Sequence, residues 1–254
     1  MIFIIVLIAL ILIVATFFGL MLQSYKNSGK PHHFTPKKFN ITFDEITFPT
    51  KNQRQLYGWW IGANTESTGT SPTLILAHGW NRNVGRMLPY IEKLQPEGYN
   101  LLAFDSRNHG SSDTDGYSSM LKFAEDIMAA IDFLKHQPYA DPDRIGVIGL
   151  SIGGAASIYA SAHDDRIKSV ITVGAFAHPV DIMKPEFENR HIPYFPLVWL
   201  FLKYVQFRIG ASFNTIAPVN NIKNSHASVM LIHGTEDVVV RIEQAEQLIN
   251  AGNP

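Results

Sequence analysis

Cysteine is absent from all 254 residues. That removes disulfides, thiolate nucleophiles and cysteine-ligated zinc from consideration. Charge is sparse: 17% of residues are charged and the formal net charge is -1. With no basic stripe on any helical stretch, nothing points to nucleic acid as a partner. Ten histidines are present, but none stands in H-E-x-x-H or comparable ligand spacing. The adjacent His32 and His33 lie in a polar stretch and read as solvated. No metal and no organic cofactor is implied. Internal repeats and low-complexity tracts are missing too. At 46% apolar residues, the chain is long enough for one sizeable α/β domain and short for two.

What is present begins with an apolar run. Ile2 to Leu22 carries no charge over 21 residues. As a helix it would span roughly 30 Å, the thickness of a bilayer core. It lacks the basic flank, the shorter apolar stretch and the small-x-small cleavage site of a signal peptide. The expectation is a single-pass N-terminal membrane anchor over residues 1–22, followed by a linker over 23–40. Lys26, Lys30, Lys37 and Lys38 follow the run with no acid before Asp44, which favours a cytoplasmic body.

Residues 41–254 then alternate. "ITFDEITF" (41–48) and "LYGWWIGA" (56–63) predict a strand pair. "TLILAHG" (73–79), "YNLLAFD" (99–105), "RIGVIGL" (144–150), "SVITVGAF" (169–176) and "SVMLIHG" (228–234) predict buried strands. Between them, helical periods cover 87–98, 120–137 and 153–162. Apolar strands separated by helices imply a mostly parallel sheet covered on both faces. Residues 177–224 interrupt this rhythm with "HIPYFPLVWLFLKYVQFRIG". This aromatic insertion suits a lid or binding wall, extra core packing, or contact with lipid.

Three motifs carry chemistry. Gly149-Leu150-Ser151-Ile152-Gly153 lies between a predicted strand and a predicted helix. A reversal that sharp strains the serine backbone and leaves room for no side chain two residues away on either side, hence glycine at both. The hydroxyl of Ser151 then stands at the sheet edge beside a helix N-terminus, where an oxyanion is favoured. His78-Gly79-Trp80 follows the first parallel strand. The amides of Trp80 and Ile152 are the expected pair of oxyanion donors, and the His78 ring is expected to tie the loop down. "HGTED" (233–237) places Asp237 after the last strand. There it could orient an imidazole or cap the helix that follows, with Glu236 as the backup acid.

Strand-HGW, "FDSRNHGSSD" (104–113), G-L-S-I-G and HGTED, in this order, resemble the α/β-hydrolase fold. More narrowly they resemble its lipase/esterase and serine-aminopeptidase-like branch, over residues 41–254. The resemblance implies Ser151 as nucleophile, Asp237 as triad acid, and Trp80 and Ile152 as oxyanion donors. It implies a loop over Asp105 to Ser112 that shapes the pocket without doing chemistry. The implied reaction is cleavage of an ester, thioester or amide of an apolar acyl group. The same pattern requires a histidine after the acid, and residues 238–254 contain none. The expectation is therefore a C-terminally shortened chain of low activity that lacks the last strand. The alternatives are a substitute base from His178, His109 or His233, or a non-catalytic binding or scaffold protein at the membrane. Oligomeric state and substrate identity are not encoded in any of these motifs.

Overall fold

The computed structural model describes residues 2–27, 29–63, 70–137 and 139–252, without the side chains at 2, 6, 7, 9, 10 and 24. Met1, Asn253 and Pro254, which belong to the expected anchor and chain end, lie outside the described residues. The strand pair appears as β1 (Asp44–Thr50) and β2 (Arg54–Ile61), antiparallel in register from Asp44↔Trp60 to Thr50↔Arg54. Then come β3 (Ser71–Ala77), β4 (Asn100–Phe104), β5 (Ala140–Leu150), β6 (Ile167–Val173) and β7 (Ser228–Ile232). They form one sheet in the order β1-β2-β4-β3-β5-β6-β7. From β4 to β7 every pairing is parallel, whereas β2 meets β4 antiparallel.

The helices in chain order are α1 (Ile2–Ser24), α2 (Leu88–Leu94), α3 (Met120–Leu134), α4 (Ile152–Ser161), α5 (Pro179–Asn189), α6 (Trp199–Ile209), α7 (Phe213–Ile216), α8 (Pro218–Asn221) and α9 (Ile242–Ala251). The helix expected over 87–98 is shorter. It tightens into a 3-10 turn at Gln95–Glu97, where Pro96 removes a donor, and stops at Gly98 with φ 81°.

The pleat explains why the central strands are apolar throughout. On one face Ile75, Ala77, Leu102, Phe104 and Val147 pack with Phe123 and Ile127 of α3 and Ala155 and Ala156 of α4. On the other, Leu76, Leu101, Ala103, Ile148 and Leu150 pack with Leu88 and Ile91 of α2. Successive residues of one strand enter different clusters, as a period of two requires.

The insertion over 177–224 is both core and rim. Phe187, Phe201, Phe213 and Ile216 are buried, while Phe195 and Phe207 are 72% and 83% exposed.

The expected N-terminal anchor finds no support. Among the described residues no helix is long and apolar enough to cross a membrane. Residues Ile2–Ser24 are helical, and one side of the last turns of α1 packs on protein. Met21 is buried. The ring of Phe17 lies 6.1 Å from Phe201 and 6.4 Å from Phe187, and that of Phe18 lies 5.6 Å from Phe201 and 5.5 Å from Tyr204.

The stretch after α1 is fastened as well. Asn83 Nδ2 donates to Lys30 O at 2.9 Å, and Pro36–Phe39 forms a 3-10 turn. His32 is not simply solvated: its ring stacks on Tyr57 at 5.5 Å and meets Trp59 edge-on at 5.0 Å.

Candidate active site

Ser151 sits at the turn from β5 into α4 with φ 52° and ψ -116°. That region is open to glycine and strained for any residue carrying a Cβ. Its N–H donates to Val173 O at 2.9 Å, and its carbonyl accepts from Ala155 N at 3.0 Å. The hydroxyl is left as the group free to project from the bend. The flanking glycines are steric necessities. A Cβ on Gly149 would lie 2.4 Å from Gly153 O, and one on Gly153 would lie 2.5 Å from His78 O and 2.6 Å from Ala77 O. All of these are backbone atoms that cannot step aside.

The loop after β3 comes alongside. A Cβ on Gly79 would meet Ser151 Cβ at 3.6 Å, so Gly79 passes within ordinary contact distance of the serine. Arg82 N donates to Gly79 O at 3.2 Å, and Asn81 has φ 56°. This closes a turn over residues 79–82 with a left-handed third residue, a conformation asparagine tolerates. His78 ties the loop, as expected. Its Nε2 accepts from Ser106 N at 3.1 Å, which leaves Nδ1 as the donor to Gly79 O at 2.7 Å. The ring is completely buried, and burial pushes its pKa down to about 3. It is therefore a neutral tie. Among the described residues neither the Trp80 N–H nor the Ile152 N–H has a protein acceptor. Two amides are thus unpaired, one following Ser151 in the chain and one following Gly79.

Asp237 lies on the same edge, two strands over. Its Oδ2 comes within 3.5 Å of where a Cβ on Gly174 would be, just beyond β6. Its Oδ1 accepts from Val239 N and Val240 N, both at 2.9 Å. The helix-cap reading is corrected: α9 starts at Ile242 with Arg241 in the cap position, and Asp237 instead closes a local turn. Glu236 is exposed.

No histidine among the described residues is bonded to Asp237 or Ser151. His178 Nδ1 accepts from Val180 N at 3.2 Å, and its Nε2 meets Asn214 Oδ1 at 3.0 Å. His233 Nε2 donates to Val240 O at 2.5 Å. His109 Nδ1 donates to Arg107 O at 3.0 Å. The structure therefore does not bring any of the three substitute bases to the serine.

Sequence reasoning passed over the polar frame beneath the loops. Asp105 Oδ1 accepts from Val84 N at 2.6 Å and Oδ2 from Ser111 N at 2.8 Å, so one buried carboxylate joins two loops. Burial pushes its pKa up, and the two amides oppose that shift. Arg107 has no exposed side-chain surface and pairs with Asp126 at 2.7 Å, Glu125 at 2.5 Å and Asp115 at 3.0 Å. Arg107 and its three acids come from separate segments, so only the polarity of "FDSRNHGSSD" hinted at the cluster.

Comparisons with known proteins bear on the family and the fold. The model of the prolyl oligopeptidase family matches residues 121–252. A thiohydrolase of Aspergillus aculeatus, AneE, is 35% identical over 136 residues, which is 52% of this chain and 41% of that protein. The uncharacterized protein YfhR of Escherichia coli K12 is 29% identical over 208 residues, 81% of this chain and 66% of that protein. The chain thus spans two thirds or less of the length of these relatives. The structure of esterase Pf2001 of Pyrococcus furiosus superposes with a TM-score of 0.66 at 26% identity, covering 89% of this chain and 83% of that one.

Proposed function

Because the chain belongs to the prolyl oligopeptidase family and has the α/β-hydrolase fold, we propose that it is built for acyl transfer to Ser151. The observation that carries this reading is the strained φ of 52° at a serine whose neighbours Gly149 and Gly153 admit no side chain. Such strain is retained where exposing one hydroxyl matters. In this reading Ser151 Oγ attacks the carbonyl carbon of an ester, thioester or amide. The negative oxygen of the tetrahedral intermediate is held by the amides of Trp80 and Ile152. The leaving group departs, and water then releases the acyl group. Asp237 is the acid that would orient an imidazole. The acyl group is apolar, in keeping with the aromatic side chains of the lid and with the esterase and thiohydrolase among the similar proteins.

The serine proton has no acceptor among the described residues. Turnover should therefore rest on the amides and on binding alone, about 10³–10⁴ over water. That same observation favours a second reading, a non-catalytic protein that keeps the fold to bind a ligand or partner. A fluorophosphonate probe with added imidazole separates the two. Acyl-transfer chemistry predicts a phosphonyl adduct on Ser151 that forms faster as imidazole supplies the base, and none in Ser151→Ala. An adduct formed equally in both proteins, or none at any imidazole concentration, refutes the nucleophile.

A further inference from the structure

Two peptide planes flank Trp80, and each is held by a different histidine. In a trans peptide the C=O and N–H point in opposite directions. His78 Nδ1–H grips Gly79 O, so the Trp80 N–H of that plane points away from His78. The next plane ends in the Asn81 N–H, which donates to His109 Nε2 at 3.3 Å. The geometry points to His109 as a positioning residue that fixes this second plane, and to Asn27 as its competitor. The Asn27 side chain, from the segment after α1, donates Nδ2 to the same Nε2 at 2.8 Å, and donates to Ser118 Oγ at 2.9 Å.

An imidazole nitrogen offers one lone pair. His109 commits Nδ1–H to Arg107 O, so Nε2 is an acceptor only, and burial holds the ring neutral. Asn27 is the nearer donor and takes the larger share. The attachment of the N-terminal segment thereby sets how firmly the turn over 79–82 is held. The turn over 79–82 is also closed by the Arg82 N–H to Gly79 O bond at 3.2 Å, so a change in the His109 tie is read at the Asn81 amide. The ring of Trp80 rests 5.9 Å from that of His109, so side chain and backbone of this turn lean on one residue.

The test is hydrogen exchange of the Asn81 amide in the full chain, read by NMR, with the fluorophosphonate labelling rate of Ser151 measured in parallel. His109→Phe keeps a ring and loses the acceptor, and exchange at Asn81 should rise about tenfold. His109→Gln returns an acceptor oxygen and should restore most of the protection, together with the labelling rate. Asn27→Ala, on a partly exposed segment, leaves the lone pair to Asn81, and exchange should slow about threefold. Unchanged exchange in His109→Phe, no rescue by glutamine, or faster exchange in Asn27→Ala overturns the assignment. Only the labelling rate rests on Ser151 being the nucleophile; the exchange rates decide the positioning role whether or not Ser151 reacts.

Discussion

Replacing Ser151 with glycine should make the protein more stable while removing its side-chain hydroxyl. At φ 52° and ψ -116° the serine pays for a conformation that costs about 1–3 kcal/mol in a residue with a Cβ. Glycine takes it freely, but enlarges the unfolded ensemble by about 0.5–1 kcal/mol. The balance is a gain of up to about 2.5 kcal/mol, and about 1 kcal/mol at mid-range. For a chain of this size, about 1 kcal/mol moves Tm by about 2–4 °C, so the midpoint should rise by about 2–4 °C and by at most about 10 °C. Ser151→Ala is the control, because it removes the same hydroxyl and keeps the Cβ that causes the strain. It should melt within about 1 °C of the parent. Thermal unfolding of the three proteins, with denaturant midpoints as a check, reads the difference. If Ser151→Gly is no more stable than Ser151→Ala, the backbone at residue 151 carries no stored strain, and the physical case for a nucleophile there fails with it.

The neighbouring glycine should behave in the opposite way. Gly153→Ala would press a methyl against His78 O and Ala77 O at 2.5 Å and 2.6 Å, costing about 1–3 kcal/mol or more in a denaturant midpoint. The pH dependence of stability should carry the signature of His78. Its pKa is about 3 folded against an ordinary 6.5, so below pH 6.5 the unfolded chain binds a proton that the folded one refuses. Stability is complete above 6.5 and falls as pH drops towards 3. Between pH 7 and pH 5 the parent should lose about 2 kcal/mol more than His78→Gln, which keeps a donor and an acceptor but does not titrate.

Much of the fold was legible because it is local. Strand and helix periods along residues 73–176 name their own faces, and the glycines around Ser151 state a steric requirement that needs no partner to be recognised. What escaped was non-local. The Phe17–Phe201 and Phe18–Tyr204 contacts join residues nearly two hundred positions apart, and nothing local in the apolar run announces them. The stacking of His32 on Tyr57 left no trace in a polar stretch. Asp237 misled in a subtler way. An aspartate before a helix fits a cap, yet the helix begins at Ile242, and the carboxylate serves a turn that "DVVV" does not announce. The bonds of Arg107 to Asp115, Glu125 and Asp126 follow from a loop folding back onto α3, which no local pattern encodes.

The chemistry of the candidate site follows from how charge is kept out of it. Two histidines stand beside the turn that carries Trp80, and a cation on either would attract an oxyanion. Burial instead lowers the pKa of both; His78 spends both ring nitrogens on backbone, and His109 spends its own on backbone and on the Asn27 side chain. In the proposed reaction, negative charge on a tetrahedral intermediate would then be met by amide dipoles, which cost little reorganisation as the charge develops. A permanent cation would also bind anions in the resting state, carboxylate products included. Neutral amides distinguish the developing charge of the transition state from a neutral ester or thioester more sharply than they hold either ground state. Ties that stay neutral around two unpaired amides are therefore what the proposed acyl transfer at Ser151 would ask of its surroundings.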